Sequence, residues 1–352
     1  MNIKDYVLNE DTNSFDFDSE VDALVLAQSS YFQFENESIS ILPLKLSEMH
    51  TRKKTTSKNR LKRETHSLMD AMIASKKFGS ICITDFESNN NSKKELQFAA
   101  VTYLINKEVL FIVFRGTDST AVGWKEDFNM SFSDQVPSQM LGVRYLNRIL
   151  SDNNYPVYTC GHSKGGNIAV YSAAFCEKEH RERIVKVYNF DGPGFRSDFL
   201  LKPEYNEILP KIVKYMPKAS IVGKLLNTRE KEIIVKSNQT SIFQHDIYNW
   251  VIENNRLVEV GDITKPAEHF SKSLQKWLEG ITDVQRRYVI NEIYSSFKQL
   301  NIDTFDDIWQ FLSINTLKTI IKIFNDTDPK LKKYLTLITK QLVLSMIDFK
   351  GL

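Results

Sequence analysis

The sequence predicts an α/β protein: a mostly parallel central sheet flanked by helices, followed by a helical C-terminal extension. Three observations predict it. Strand-like apolar runs alternate with helical patterns from about residue 98 to 240, the signature of a parallel sheet covered by its crossover helices. A short apolar strand, Val157 to Cys160, runs directly into Gly161-His162-Ser163-Lys164-Gly165 and then into a helix of small residues. From about Glu268 onward only helical periodicity remains.

In chain order, Val21 to Tyr31 carries apolar residues at near-helical spacing. Residues 51–63 hold seven basic residues and no acid, read as a solvated, mobile loop. Phe78 to Phe86 reads as a strand with its polar turn at Asn89 to Lys94. Glu95 to Ile105 and Val109 to Phe114 read as strands joined by a hairpin turn at Asn106-Lys107-Glu108. Residues 138–152 form an amphipathic helix, broken at Asn153-Asn154-Tyr155-Pro156. Gly165 to Phe175 is the small-residue helix, and Ile184 to Phe190, Ile212 to Tyr215 and Ile233 to Lys236 are further strands. Helical spacing then recurs at Phe270-Leu274-Trp277-Leu278, Ile308-Phe311-Leu312 and Tyr334-Leu337-Ile338-Leu342. The expected division is residues 1–267 as the α/β body and 268–352 as the helical region, with the apolar stripe around Leu342 packed on the body rather than on a membrane.

Composition excludes several classes. The chain has 352 residues with 46 basic against 44 acidic side chains, a net charge of +2, so no strong field draws it to nucleic acid or anionic lipid. The N-terminus lacks an apolar signal segment, and no apolar run approaches the roughly 20 residues of a membrane span. Cys82, Cys160 and Cys176 form neither a disulfide framework nor a metal pattern and read as reduced thiols. Phosphate-loop and dinucleotide motifs are missing as well. The expectation is a cytoplasmic protein with no cofactor, no metal and no nucleic-acid partner.

Gly161-His162-Ser163-Lys164-Gly165 fits G-x-S-x-G, and its setting between strand and helix is the one a nucleophile elbow requires. The serine sits at a sharp turn, while glycines without Cβ atoms let strand and helix approach closely. A helix N-terminus offers N–H groups and a positive dipole end to a developing oxyanion, so Ser163 is the candidate nucleophile and the N–H of Lys164 a candidate donor. Gly166 and Ala169 extend the small face.

The GHSKGGN string, with FRGTD upstream and YNFDGPGF downstream, resembles the lipase-like α/β-hydrolases of the fungal class 3 triacylglycerol lipase type. It looks still more like a bacterial branch of lipase-like proteins of unsettled function that share the FRGTD…GWKEDFNM…GHSKGGN layout. The resemblance spans roughly residues 15 to 255. It implies an α/β-hydrolase fold and a second oxyanion N–H from Thr117, after Arg115-Gly116; Asp118 beside it reads as a turn or cap. Trp124, Lys125, Glu126 and Asp127 are then either a wall of the pocket or packing and surface ion pairs. Where class 3 lipases carry an apolar residue this chain has Lys164, whose side chain points outward or into the pocket.

The chain order of such folds, serine, acid, histidine, leaves His180, His245 and His269 as bases. His180 lies in the charged segment EKEHRER and reads as a solvated helix end. His245, in SIFQHDIYNW after a strand and short loop, is where the fold places its base, with His269 in reserve. The family's usual acid position falls on Ser220. Asp191, at the end of the strand after the nucleophile strand, is the alternative acid, or else only caps the turn before Gly192-Pro193-Gly194. Asp246 is poorly aimed and Asp198 distant.

These residues point to a serine hydrolase that cleaves a carboxylic ester, an acyl lipid or another apolar ester, using a small-molecule or lipid substrate and at most peripheral membrane contact. The alternative is a hydrolase-fold protein without turnover that serves as a binding or scaffold module, motivated by Ser220 at the acid position.

Overall fold

A computed structural model of the chain describes residues 1–9, 14–36, 41–50, 59–91, 95–117, 125–126, 129–131, 133–280 and 282–299. Three helices lead: α1 (Ile3–Leu8), α2 (Glu20–Ser29) and α3 (Arg60–Ala74). Eight strands, the first of them between α2 and α3 in the chain, form one sheet in strict chain order: β1 (Leu44–Lys45), β2 (Cys82–Asn91), β3 (Leu96–Ile105), β4 (Val109–Phe114), β5 (Val157–His162), β6 (Ile184–Phe190), β7 (Ile212–Pro217) and β8 (Lys231–Val235). Pairing is antiparallel from β1 to β4 and parallel from β4 to β8. The crossovers carry α4 (Pro137–Ser151) before β5, α5 (Lys164–Phe175) before β6 and α6 (Pro203–Ile208) before β7.

Right-handed crossovers in an order that never reverses put their helices on one face of the sheet. The N-terminal helices must therefore cover the other. Alternation along β4 records both layers: Phe111 and Val113 pack with α1, α2 and α3, while Leu110, Ile112 and Phe114 pack with α4 and α5. With both faces covered, every residue of β4 and β5 is buried, which is why these strands read as continuous apolar runs. This is an α/β-hydrolase fold, and the parallel half aligns the strand ends from which its site is built.

Helix α2 is buried on all sides, including Glu20 and Asp22. The Asp22 carboxylate meets Lys77 at 2.6 Å and accepts the Tyr6 hydroxyl at 2.7 Å, so its charge is paired, while burial still holds its pKa above the usual carboxylate range.

Several expectations are corrected. The predicted strand from Phe78 starts later: Lys76–Gly79 form a helical turn capped by Ser75, and β2 runs from Cys82 to Asn91, through the expected turn at Asn89, because Asn89, Asn90 and Asn91 pair with Phe98, Gln97 and Leu96. The basic stretch is not a loop throughout. Residues 51–58 lie outside the described residues, but Arg60, Lys62 and Arg63 open α3, whose N-cap Asn59 accepts the Lys62 N–H at 3.0 Å. Asn106 and Lys107 have φ of 53° and 60° in the three-residue connection between Ile105 and Val109, where the Glu108 N–H donates to the Ile105 carbonyl at 3.1 Å. A hairpin of β9 (Ile252–Glu253) and β10 (Arg256–Leu257) went unread in the sequence.

Two helices follow, α7 (Lys265–Glu279) and α8 (Asp283–Gln299). Arg196 reaches Asp283 at 3.2 Å, Arg286 donates to the Ser131 carbonyl at 2.6 Å and Gln275 to Asn227 at 2.7 Å. The expected helical stretches near Ile308 and Tyr334, and the Leu342 stripe, lie outside the described residues. Among the described residues no helix is long and apolar enough to cross a membrane.

Candidate active site

Strand β5 ends at His162, and α5 begins at Lys164. Ser163 makes the turn between them with φ 58° and ψ −133°, a region that non-glycine residues enter only under local strain. Its hydroxyl does not cap the helix it precedes. The flanking glycines are required by space: a Cβ on Gly161 would stand 2.3 Å from the Gly165 backbone, and one on Gly165 would stand 2.1 Å from the Phe114 carbonyl oxygen. The segment leaving β4 presses on this turn, since a Cβ on Gly116 would lie 2.4 Å from the His162 carbonyl and 3.2 Å from Ser163 Cβ. Thr117, half-buried, is the next residue.

Parallel pairing sets His162 opposite Phe190, so Asp191 follows β6 level with Ser163. The Ser163 N–H donates to the Phe190 carbonyl at 2.9 Å, and the Asp191 N–H donates to Tyr215 at 2.7 Å. Asp191 also has a positive φ, 52°. Its fully buried carboxylate accepts the Nδ1–H of His245 at 2.7 Å through Oδ2. Because a carboxylate only accepts, this bond selects the tautomer that leaves His245 Nε2 with its lone pair. Oδ1 accepts the Ser220 hydroxyl, whose oxygen in turn accepts the Gly223 N–H at 2.9 Å. Below it, the buried Lys214 ammonium donates to the Gly223 carbonyl at 2.6 Å, and burial holds its pKa below the usual lysine range.

His162 was not singled out in the sequence, though it stands inside the G-x-S-x-G string. Its ring lies 4.5 Å from the His245 ring. Nε2–H donates to the His245 carbonyl at 2.9 Å, so Nδ1 accepts the Tyr31 hydroxyl at 3.1 Å. Burial, and the neighbouring His245, hold its pKa well below the ordinary 6.5. The ring is thus a neutral spacer that pins the His245 backbone to the elbow. Tyr31, some 130 positions away in sequence, offered no local signal.

The Lys164 side chain takes neither direction expected of it. It is buried under the elbow, where Nζ meets Glu126 Oε2 at 2.9 Å and the Gln97 carbonyl at 3.0 Å. Lys125 pairs with Glu95 at 2.6 Å, an ion pair as one of the two readings has it, whereas the Glu126 pair with Lys164 is fully buried and not on the surface. Asp118, Trp124 and Asp127 lie outside the described residues.

The other candidates point elsewhere. His180 is buried, not solvated, with Nδ1 2.9 Å from Asn147 Oδ1, because the short helix carrying it packs onto α4. His269 is exposed on α7. Asp246 turns away from His245 to accept the Tyr248 N–H at 3.1 Å and pair with Arg60. Asp198 is on the surface beside Arg196. Cys160 and Cys176 are buried free thiols, and burial pushes the Cys176 thiol up to about 12. A cavity of about 370 Å³ runs along α5 past Asn167 and Tyr171, walled by Phe195, Phe199 and Arg196, one turn and more beyond Ser163.

A family model described as Mbeg1-like matches residues 72–295, well over half of the chain and inclusive of the elbow, Asp191 and His245. The chain belongs to the Mbeg1-like family. No curated protein matches this Mbeg1-like sequence. Among solved structures the chain is similar to the native Rhizomucor miehei lipase propeptide complex, at 17% identity over 50% of this chain and 69% of that one, with a TM-score of 0.36. It is also similar to Lip2 lipase from Yarrowia lipolytica, at 11% identity over 52% and 71% with a TM-score of 0.33. A triacylglycerol lipase from Penicillium expansum matches at 8% over 53% and 76%, with a TM-score of 0.34.

Proposed function

We propose that this Mbeg1-like protein is a serine hydrolase that cleaves a carboxylic ester, an acyl lipid or another apolar ester. The observation that carries the reading is the 2.7 Å bond between buried Asp191 and His245 Nδ1, made at the strand end next to the strained Ser163 turn. In this reading Ser163 Oγ attacks the ester carbonyl as His245 Nε2 takes its proton. Asp191 holds the imidazole tautomer and stabilises the imidazolium. The N–H groups of Lys164 and Thr117 receive the oxyanion. The imidazolium then protonates the departing alkoxide, and water, deprotonated by the same ring, releases the acid from the acyl-enzyme.

Ser220 at the expected acid position motivated a non-catalytic reading. Its hydroxyl donates to the carboxylate of Asp191, which supports the reading with Asp191 as the acid. In the proposed division, residues 1–267 form the hydrolase body and 268–352 a helical addition to it. The test is covalent labelling with a fluorophosphonate probe. Labelling lost in Ser163→Ala and slowed at least ~10²-fold in His245→Ala and Asp191→Asn is expected. A folded wild-type protein that neither labels nor hydrolyses any of a series of p-nitrophenyl esters overturns the reading.

A further inference from the structure

We infer that the buried Lys164–Glu126 ion pair is a positioning device for the oxyanion site, one that rests on the hydrolase reading above. Lys164 is the residue whose N–H opens α5 beside Ser163, and its own side chain anchors it. Both charged groups have no exposed side-chain surface, and their separation is 2.9 Å. Nζ donates a second bond to the carbonyl of Gln97, at the start of β3. Strand β4 lies between β3 and β5 in the sheet, so the Lys164 side chain spans from the elbow past the end of β4, where Arg115, Gly116 and Thr117 emerge.

Glu126 closes the device from the other side. It belongs to the connection that starts at Thr117 and ends at α4. One carboxylate oxygen accepts the Gln97 N–H at 3.1 Å as well as Lys164, and the other accepts the Ser138 N–H at 2.9 Å. The carboxylate therefore ties three backbone segments to one ammonium: the start of β3, the start of α4 and the first residue of α5. Of the two proposed oxyanion donors, Lys164 belongs to this frame directly, as the residue that carries the ammonium. In a dry site such a pair has few alternative partners, so the backbone around it is held to a single arrangement. This also accounts for a charged residue where an apolar one would pack: an apolar side chain could fill the space but could not tie down Glu126.

The pair touches neither substrate nor reacting atoms, so its effect should appear in turnover and not in binding. The experiment compares Lys164→Met, Glu126→Gln, the double variant and Glu126→Asp, with p-nitrophenyl butyrate as substrate and thermal melting as the record of folding. Each single variant strands a buried charge and is expected to melt early. The double variant strands none; it is expected to recover the melting temperature while kcat stays about 10²-fold down and KM changes less than about threefold. Glu126→Asp keeps the charge but draws the carboxylate back by one methylene, and is expected to fold with kcat reduced at least about tenfold. Recovery of wild-type kcat along with stability in the double variant, or wild-type kcat in folded Glu126→Asp, overturns the inference and leaves the hydrolase reading standing. An inert, unlabelled wild-type protein removes the hydrolase reading and this inference together.

Discussion

The Ser220 hydroxyl donates to the same buried Asp191 carboxylate that orients His245. The position where a lipase-like chain is expected to carry its acid thus supplies a hydrogen-bond donor to an acid one strand away. Ser220→Ala leaves Oδ1 short of a partner in a buried place, and is expected to cost about 1–3 kcal/mol of stability and roughly tenfold in kcat. Ser220→Asp, which restores the expected residue type, should do more harm, because two carboxylates would share one buried site. Urea denaturation and ester turnover of both variants check this; a more active Ser220→Asp would show that the acid can move.

Gly223 faces the same carboxylate. A Cβ there would stand 2.3 Å from Asp191 Oδ1 and 2.9 Å from Ser220 Oγ. Gly223→Ala is expected to push Asp191 off His245 and lower kcat by ~10² or more, with a stability loss of only about 1–2 kcal/mol. Fluorophosphonate labelling rates set beside melting curves separate the two effects.

Gly165 is bounded by backbone instead, with the Phe114 carbonyl 2.1 Å from an added Cβ and the Gly116 nitrogen 2.9 Å away. Neither can swing aside as a side chain could. Gly165→Ala is therefore expected to destabilise the fold by roughly 3 kcal/mol. A chemical denaturation midpoint at the wild-type value would show that strand and helix can part here without cost.

His162 predicts an acid sensitivity. Its pKa is held well below 6.5 in the fold by burial and by His245, whereas the unfolded chain takes up the proton near 6.5. The unfolded state then binds more protons below that value, so the stability contribution is complete above about pH 6.5 and falls by about 1.4 kcal/mol per pH unit beneath it, until the folded ring also titrates. Urea titrations between pH 7.5 and 5 should show this slope, and His162→Gln should lose that share of it. An unchanged slope in the variant would assign the acid limb to other groups.

The elbow was legible because its requirements are local: a strand, a turn that needs glycine on both sides, and a helix start are all properties of neighbouring residues. For the same reason β4, β6 and the Asn106-Lys107 turn have the bounds or the conformation that their residues indicate. Phe78 misled because a run of apolar residues is equally compatible with a buried helical turn, and capping by Ser75 with burial of Phe78 decided between them.

What the chain determines by itself is the order of its elements, the serine at the elbow and the absence of any strong net charge. Tertiary structure decided which carboxylate meets His245, since Asp191, Ser220 and His245 come together only through the register of β6 and β7 and the return of the chain after β8. It also decided where Lys164 points, because its partners Gln97 and Glu126 are some 67 and 38 positions away. Periodicity and spacing record a residue's near neighbours; a buried charge chooses its partner from whatever the fold brings within hydrogen-bond reach.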